Sequence, residues 1–207
     1  MISRQFYSNG KFLLTGEYLV LNGALSLALP LKLGQSMVVR PVAGQNFIRV
    51  NSFVLEAHWF EADFRTRDLK ILNTNDQDKA EFLQKILLAA YPLNPGILHE
   101  SPGFDIRTEV QFDIRWGWGS SSTLIANVAR WFEVDPFELH FKVSGGSGYD
   151  VACALAQSPI LYRLSGKNPR IEAVDFDPPF SKALYFVYLG KKKDSAKSIS
   201  LFANRIK

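Results

Sequence analysis

Short apolar runs rich in β-branched and aromatic residues fill the first third of the chain and alternate in places with polar positions. The two-residue period and these residue types predict strands of a twisted antiparallel sheet. The tight-turn pair Asn22-Gly23 interrupts the series after its second run. The runs are KFLLT, YLVLN, ALSLALPL, SMVVRPV and NFIRVNSFVLEAHWFEADF.

Three later segments space their apolar positions as helices do. DQDKAEFLQKILLAAY has acidic residues in its first turn and Pro92 after it, LIANVARWF follows a glycine turn, and VDPFELHFKV predicts a short helix. The alternating segment FDIRTEVQFDIR predicts a strand that leads directly into the glycine turn. ALYFVYLG predicts a buried strand, and a last helix is expected near Ser195. Residues 165–180, with their Pro, Gly and charges, predict a connection between two lobes.

Composition and charge exclude several classes of protein. The 207 residues are 47% hydrophobic, enough to bury the core of a globular domain. The net charge of +4 is scattered except for the short run GKKKDSAK, which is typical of a solvated face, so we expect no nucleic-acid partner. Cys153 is alone, and His58, His99 and His140 lack metal-ligand spacing. With no apolar run of about 18 residues and no secretory signal, we expect a cytoplasmic protein without membrane partners.

Three segments carry candidate chemistry, and each has an ordinary alternative. WGWGSSST, at residues 116–123, places glycines and serines where a helix begins, which suits a phosphate site but also a simple turn and cap. GKFLLTGEYLVLNG contains Lys11 and Glu17, and two interpretations are open for them: catalytic groups or ordinary surface charges. GGSGYDVACA contains Asp150, which caps a helix or acts as a base.

Together and in this order, the three segments resemble the motifs of the GHMP kinases, a superfamily that includes galactokinase, homoserine kinase, mevalonate kinase and phosphomevalonate kinase. The string Gly148-Tyr149-Asp150-Val151-Ala152 is similar to the G-Y-D-[IV]-A motif of one bacterial group among them. The resemblance implies an α+β fold. Its N-terminal lobe, of the ribosomal protein S5 domain 2 type, would span residues 1–170, and residues 171–207 would begin a ferredoxin-like C-terminal lobe.

The resemblance also implies an activity: transfer of the γ-phosphate of ATP, with Mg²⁺, to a hydroxyl or phosphate of a small molecule. Because LLTGEYLVL is similar to the corresponding motif of mevalonate and phosphomevalonate kinases, an acceptor of that kind and a role in isoprenoid biosynthesis are expected. The alternatives are a non-catalytic GHMP-fold protein that binds a ligand or partner, and an inactive truncated kinase.

The resemblance also implies roles for individual residues that match the family's motifs. Asp150 would be the base or acceptor-orienting group, and Lys11 would stabilise the transferring phosphoryl group. Glu17 and Tyr149 would contact the acceptor. A metal ion would bind Ser121 and, by a weaker match, Glu138. The nucleotide would bind Gly117, Trp118, Gly119, Ser120, Ser121 and Ser122.

The chain departs from the family pattern in three respects. Asp113 stands where the phosphate loop usually has proline, and Trp118 replaces a leucine. Members of this superfamily are also longer and contain a third glycine-rich motif. We therefore expect a fragment or truncated gene product, and we expect self-association, such as a homodimer, through an exposed C-terminal segment.

Overall fold

The computed structural model of the protein describes residues 2–99 and 102–190, and the helix expected near Ser195 lies outside these ranges. Eight strands form one mixed sheet in the order β5-β4-β3-β6-β2-β7-β8, with β1 paired to β2. All neighbours are antiparallel except β3 and β6, which are parallel; this pair joins the predicted antiparallel first third of the chain to a strand from outside it. The strands are β1 Arg4–Leu13, β2 Ser26–Val42, β3 Phe47–Val54, β4 Ala57–Arg65, β5 Ile71–Thr74, β6 Gly103–Val110, β7 Ile160–Ser165 and β8 Asn168–Ala173.

Within the described ranges, the three helices that the sequence predicts are present, and local caps explain where two of them begin. Asp76 accepts a hydrogen bond from Lys79 N at the start of α1, and Asp135 accepts one from Glu138 N at the start of α4. No helix in the described ranges is long and apolar enough to span a membrane. The α-helices are α1 Gln77–Ala90, α2 Gly96–His99, α3 Ser120–Phe132, α4 Pro136–Val143 and α5 Tyr149–Leu155.

The main core lies between one face of the sheet and helices α1, α3 and α4. Phe64 of β4, Ile48 of β3 and Trp131 of α3 are almost completely buried in it. A smaller core lies under α5, where Ala152 and Tyr162 pack together with the start of β2. This second core holds the first turn of α5, and therefore Asp150, close to β1.

Two of the predicted strands have a different structure. YLVLN forms a 3₁₀ turn, Leu19–Asn22, because Tyr18 and Gly23 on either side of it have positive φ angles of 61° and 81°. FDIRTEVQFDIR is a strand only as far as Val110. The Asp113 side chain then accepts a hydrogen bond from Arg115 N and begins a second 3₁₀ turn, Ile114–Trp116.

The C-terminal part of the described chain also differs from its prediction. Residues 165–180 include strand β8, where Pro169 is tolerated because β8 is an edge strand. ALYFVYLG is not a buried strand: it follows a 3₁₀ turn, Ser181–Ala183, and then runs without regular structure. Tyr185 is 84% exposed and Leu189 86%. An apolar run alone does not provide a neighbouring strand for pairing, and the division into lobes at residue 170 stays a prediction.

Candidate active site

The glycine turn that precedes α3 has the backbone conformation that glycine permits. Gly117 and Gly119 have φ angles of 75° and 92°, in the left-handed region, and Gly119 is the residue before the first turn of the helix. Asp113 makes a bidentate ion pair with Arg115 at the entrance to the turn. Hydrogen bonds from the Arg115 side chain and backbone lower the pKa of Asp113 to about 2. Asp113, in place of a proline, thus orders the turn.

Gly119 lies directly against β1. Lys11 N donates a 2.9 Å hydrogen bond to Trp118 O. A Cβ atom on Gly119 would lie 2.8 Å from Lys11 Cγ and 2.7 Å from Ser122 Oγ, closer than real contacts allow. The structure therefore joins the first and second sequence motifs at this point, and the close approach requires glycine.

The three serines of α3 have different environments. Ser122 is buried, and its hydroxyl donates a 2.8 Å hydrogen bond back to Gly119 O, so it stabilises the turn itself. Ser120 is half-buried and Ser121 is exposed, and neither hydroxyl has a hydrogen-bond partner in residues 2–99 and 102–190. Two hydroxyls at the positive end of a 13-residue helix are thus available to an anionic ligand.

The side chain of Lys11 meets the third motif at Tyr149. Lys11 Nζ donates a 2.7 Å hydrogen bond to Tyr149 Oη and lies 5.1 Å from the centre of its ring. Burial raises the pKa of Tyr149 to about 12. Burial lowers the pKa of Lys11, but the Tyr149 oxygen and the carboxylates of Asp150 and Glu17 raise it more, so the net shift is upward. At neutral pH the pair is a charged ammonium and a neutral phenol.

Asp150 is half-buried at the second position of α5, beside this pair. Its Oδ1 accepts a 3.0 Å hydrogen bond from Val151 N, while the residue that caps the helix is Gly148. In the described chain Asp150 makes no ion pair with Lys11 and acts on it through charge alone. Glu17 is exposed, and its charge also acts on Lys11. Lys11, Tyr149 and Asp150 therefore form one group at the glycine turn, with Glu17 at its edge.

No protein-family model matches the chain, and no curated protein matches it by sequence. Solved structures do. Lin0012 from Listeria innocua aligns over 99% of this chain and 65% of its own, with TM-score 0.68 and 16% identity. The mevalonate kinase of Methanococcus jannaschii aligns over 98% and 66%, with TM-score 0.63 and 14% identity. The galactokinase of Lactococcus lactis, complexed with galactose, aligns over 84% and 47%, with TM-score 0.60 and 16% identity.

The chain has the GHMP kinase fold. It spans between about half and two-thirds of the length of these proteins. The α+β fold class implied by the motifs is thereby confirmed.

Trp118 and Glu138 have their main contacts outside the group formed by Lys11, Tyr149 and Asp150. Trp118 packs against Trp116 and Phe112, with ring centres 4.7 and 5.7 Å away, and its buried Nε1 has no partner in the described residues. Glu138 is exposed on α4 and lies 3.6 Å from Lys142 Nζ, one turn along the same helix. In residues 2–99 and 102–190 no three His, Cys, Asp or Glu side chains are grouped to hold a metal ion.

Sequence reasoning missed an apolar cavity of about 260 Å³ between the sheet, α1 and α3. Ser120 and Ser121 are among its lining residues, so the cavity reaches the glycine turn. Lys79 lies 4.7 Å above the ring of Trp59 at the same cavity. In sequence these residues have the ordinary periodicity of a strand and a helix, which does not distinguish a cavity wall from a filled core. Its apolar and polar lining includes Trp59, Phe82, Leu83, Leu124, Lys79 and Asp78.

Proposed function

We propose that this chain forms the nucleotide-binding part of an ATP-dependent small-molecule kinase of the GHMP type. The observation that carries the proposal is the junction of β1 with the glycine turn. There, the buried ammonium of Lys11 and the carboxylate of Asp150 stand beside a helix N-terminus whose first two hydroxyls are available. Phosphoryl transfer depends mainly on alignment and charge neutralisation, and this arrangement offers both.

The nucleotide fits the glycine turn and the cavity next to it. The unpaired N–H groups of the first turn of α3, together with Ser120 and Ser121, suit the phosphates. The apolar cavity behind these serines suits a purine base, because aromatic and aliphatic side chains from α1, α3 and β4 line it. Trp118 would stabilise the turn through its ring contacts with Trp116 and Phe112. ATP would supply the phosphoryl group.

Within this proposal, Asp150 takes the proton of the acceptor hydroxyl or orients the acceptor, and Lys11 neutralises charge on the phosphoryl group. A bound Mg²⁺ would neutralise phosphate charge, and Ser121 is the better placed of its two candidate ligands because its hydroxyl is exposed and unpaired. Glu138 would have to leave Lys142 to take part. Glu17 is placed to contact the acceptor at the edge of the site.

The acceptor is proposed by similarity. Streptococcus pneumoniae phosphomevalonate kinase in complex with phosphomevalonate and AMPPNP shares the fold, with TM-score 0.57 and 16% identity over 81% of this chain. Together with the first motif, this supports a mevalonate- or phosphomevalonate-like acceptor. A role in isoprenoid biosynthesis and a cytoplasmic location belong to the same proposal. The second candidate is a GHMP-fold protein that binds ligand without turnover. The hydrogen bond from Val151 N to the Asp150 carboxylate favours it, because a structural carboxylate makes this kind of contact.

Nucleotide binding is tested by calorimetric titration with Mg-ATP. We expect weak binding that Gly119→Val abolishes, because the new side chain would collide with Lys11 and Ser122. Gly44→Val is the matched control: Gly44 also has a positive φ angle, 76°, but nothing lies within 4 Å of its Cβ position. Equal loss of binding in both variants, or no loss in either, would contradict the assignment of the turn.

Turnover is tested by ADP release with mevalonate, phosphomevalonate, homoserine and sugars as acceptors. Asp150→Asn should lower turnover about 10²–10⁴-fold, the usual contribution of a general base, and leave Mg-ATP affinity almost unchanged. Asp135→Asn is the matched control, because Asn also caps a helix and Asp135 lies at the start of α4. Wild-type turnover in Asp150→Asn would show that this carboxylate is structural.

A further inference from the structure

The Lys11 ammonium has one side-chain hydrogen-bond partner in the described chain, and that partner is Tyr149 rather than a carboxylate. An ammonium has three donor hydrogens, and a buried ammonium needs compensating polar contacts. The phenol satisfies one hydrogen and leaves two for a ligand. Because it is neutral, the positive charge of Lys11 is offset only by the carboxylates of Asp150 and Glu17, neither of which makes an ion pair with it.

The turn that precedes Tyr149 is tightly packed. Tyr149 follows Gly148, whose φ angle of 83° places the chain in a left-handed turn at the start of α5. The phenol of Tyr162 donates a hydrogen bond to Ser147 O beneath this turn. A Cβ on Gly148 would lie 3.4 Å from Tyr162 Oη and 3.6 Å from the His140 ring. The Tyr149 hydroxyl is therefore presented to β1 by a tightly packed turn.

We propose that Tyr149 is a positioning residue: its hydroxyl fixes the Lys11 ammonium at the end of a side chain whose stem lies against Gly119, so that the ammonium meets the transferred phosphoryl group. This inference rests on the proposed kinase function, and it gives Tyr149 a role through Lys11 in addition to the acceptor contact that the motif implies. The long lysine side chain has many rotamers, and a fixed partner selects the one that points along the glycine turn.

The groups that face Lys11 determine how its pKa changes when the Tyr149 hydroxyl is removed. Tyr149, Asp150 and Cys153 face it from α5, and Glu17 faces it from the turn after β1. Tyr149→Phe removes only the hydroxyl and keeps the ring. Burial would then lower the pKa of Lys11 with only the carboxylates of Asp150 and Glu17 to oppose it, so its pKa should fall.

The first experiment is an NMR titration of the whole chain labelled with ¹³C at lysine Cε, with Lys11→Arg used to identify the Lys11 signal. Tyr149→Phe should lower the pKa of Lys11. Tyr7→Phe is the matched control, because Tyr7 also loses its side-chain hydrogen bonds, to Gln111 Oε1 and Lys32 O, and Tyr7 is not among the groups that shift the pKa of Lys11. An unchanged Lys11 titration in Tyr149→Phe overturns the proposal.

The second experiment measures steady-state kinetics and thermal melting of the same variants. Tyr149→Phe should lower kcat on the order of 10–100-fold, with KM for ATP almost unchanged and the alkaline limb of the pH profile moved to lower pH. Unchanged kcat together with a shifted Lys11 titration overturns the positioning role. If the wild-type chain phosphorylates no acceptor, the proposed function fails, and the Lys11 titration still decides whether Tyr149 holds the ammonium.

Discussion

Gly119→Ala is the substitution whose effect the structure predicts most directly. Two separate costs apply at this position. The φ angle of 92° is in the left-handed region, where an L-residue costs about 1–2 kcal/mol. In addition, the new Cβ would lie 2.8 Å from Lys11 Cγ and 2.7 Å from Ser122 Oγ.

Neither neighbour can move freely. The Ser122 hydroxyl donates a hydrogen bond to Gly119 O, and the Lys11 ammonium donates one to Tyr149 Oη. Inserting a methyl group into so close a contact costs about 1–3 kcal/mol. The two costs together predict that Gly119→Ala lowers the free energy of unfolding by about 2–5 kcal/mol.

Gly117→Ala is the matched control in the same turn. Gly117 also has a positive φ angle, 75°, but nothing lies within 4 Å of its Cβ position, so only the conformational cost of about 1–2 kcal/mol applies. Urea unfolding followed by circular dichroism measures both free energies. Equal destabilisation by the two substitutions would refute the close contact between Gly119 and β1.

Three further predictions concern other parts of the chain. Arg115→Gln should raise the pKa of Asp113 from about 2 towards 3.8. It should also remove the stabilisation by this ion pair, which is present above pH 3.8 and lost as the pH falls towards 2. An unchanged pKa of Asp113 by carboxyl NMR would contradict the ion pair. Burial raises the pKa of the Cys153 thiol to about 12, so a thiol reagent should react slowly with the folded chain and rapidly in denaturant. Rapid reaction with the folded chain would mean that the thiol is accessible. The exposed apolar side chains of Leu184–Leu189 should cause self-association, seen by light scattering and weakened by Tyr185→Ser with Leu189→Ser; a wild-type chain that stays monomeric would contradict this.

The local elements of this protein follow directly from its sequence. Helix α1 was predicted over 76–91 and is Gln77–Ala90, because Asp76 caps its start and Pro92 follows its end. Helix α3 begins at Ser120 because glycine at position 119 permits a positive φ angle that ends the preceding turn. Caps, glycines and apolar period act within a few residues, so they can be recognised without the rest of the chain.

Which distant residues meet depends on long-range packing. Lys11 and Tyr149 are 138 positions apart in the sequence. The register of β1 on β2 and the packing of α5 bring Lys11 Nζ within 2.7 Å of Tyr149 Oη. The parallel pairing of β3 with β6 and the exposure of Leu184–Leu189 likewise depend on which sheet edges and neighbours are present. Motif order suggested one site, but the partner of the Lys11 ammonium depends on long-range packing, because a local pattern contains no information about contacts more than a hundred residues away.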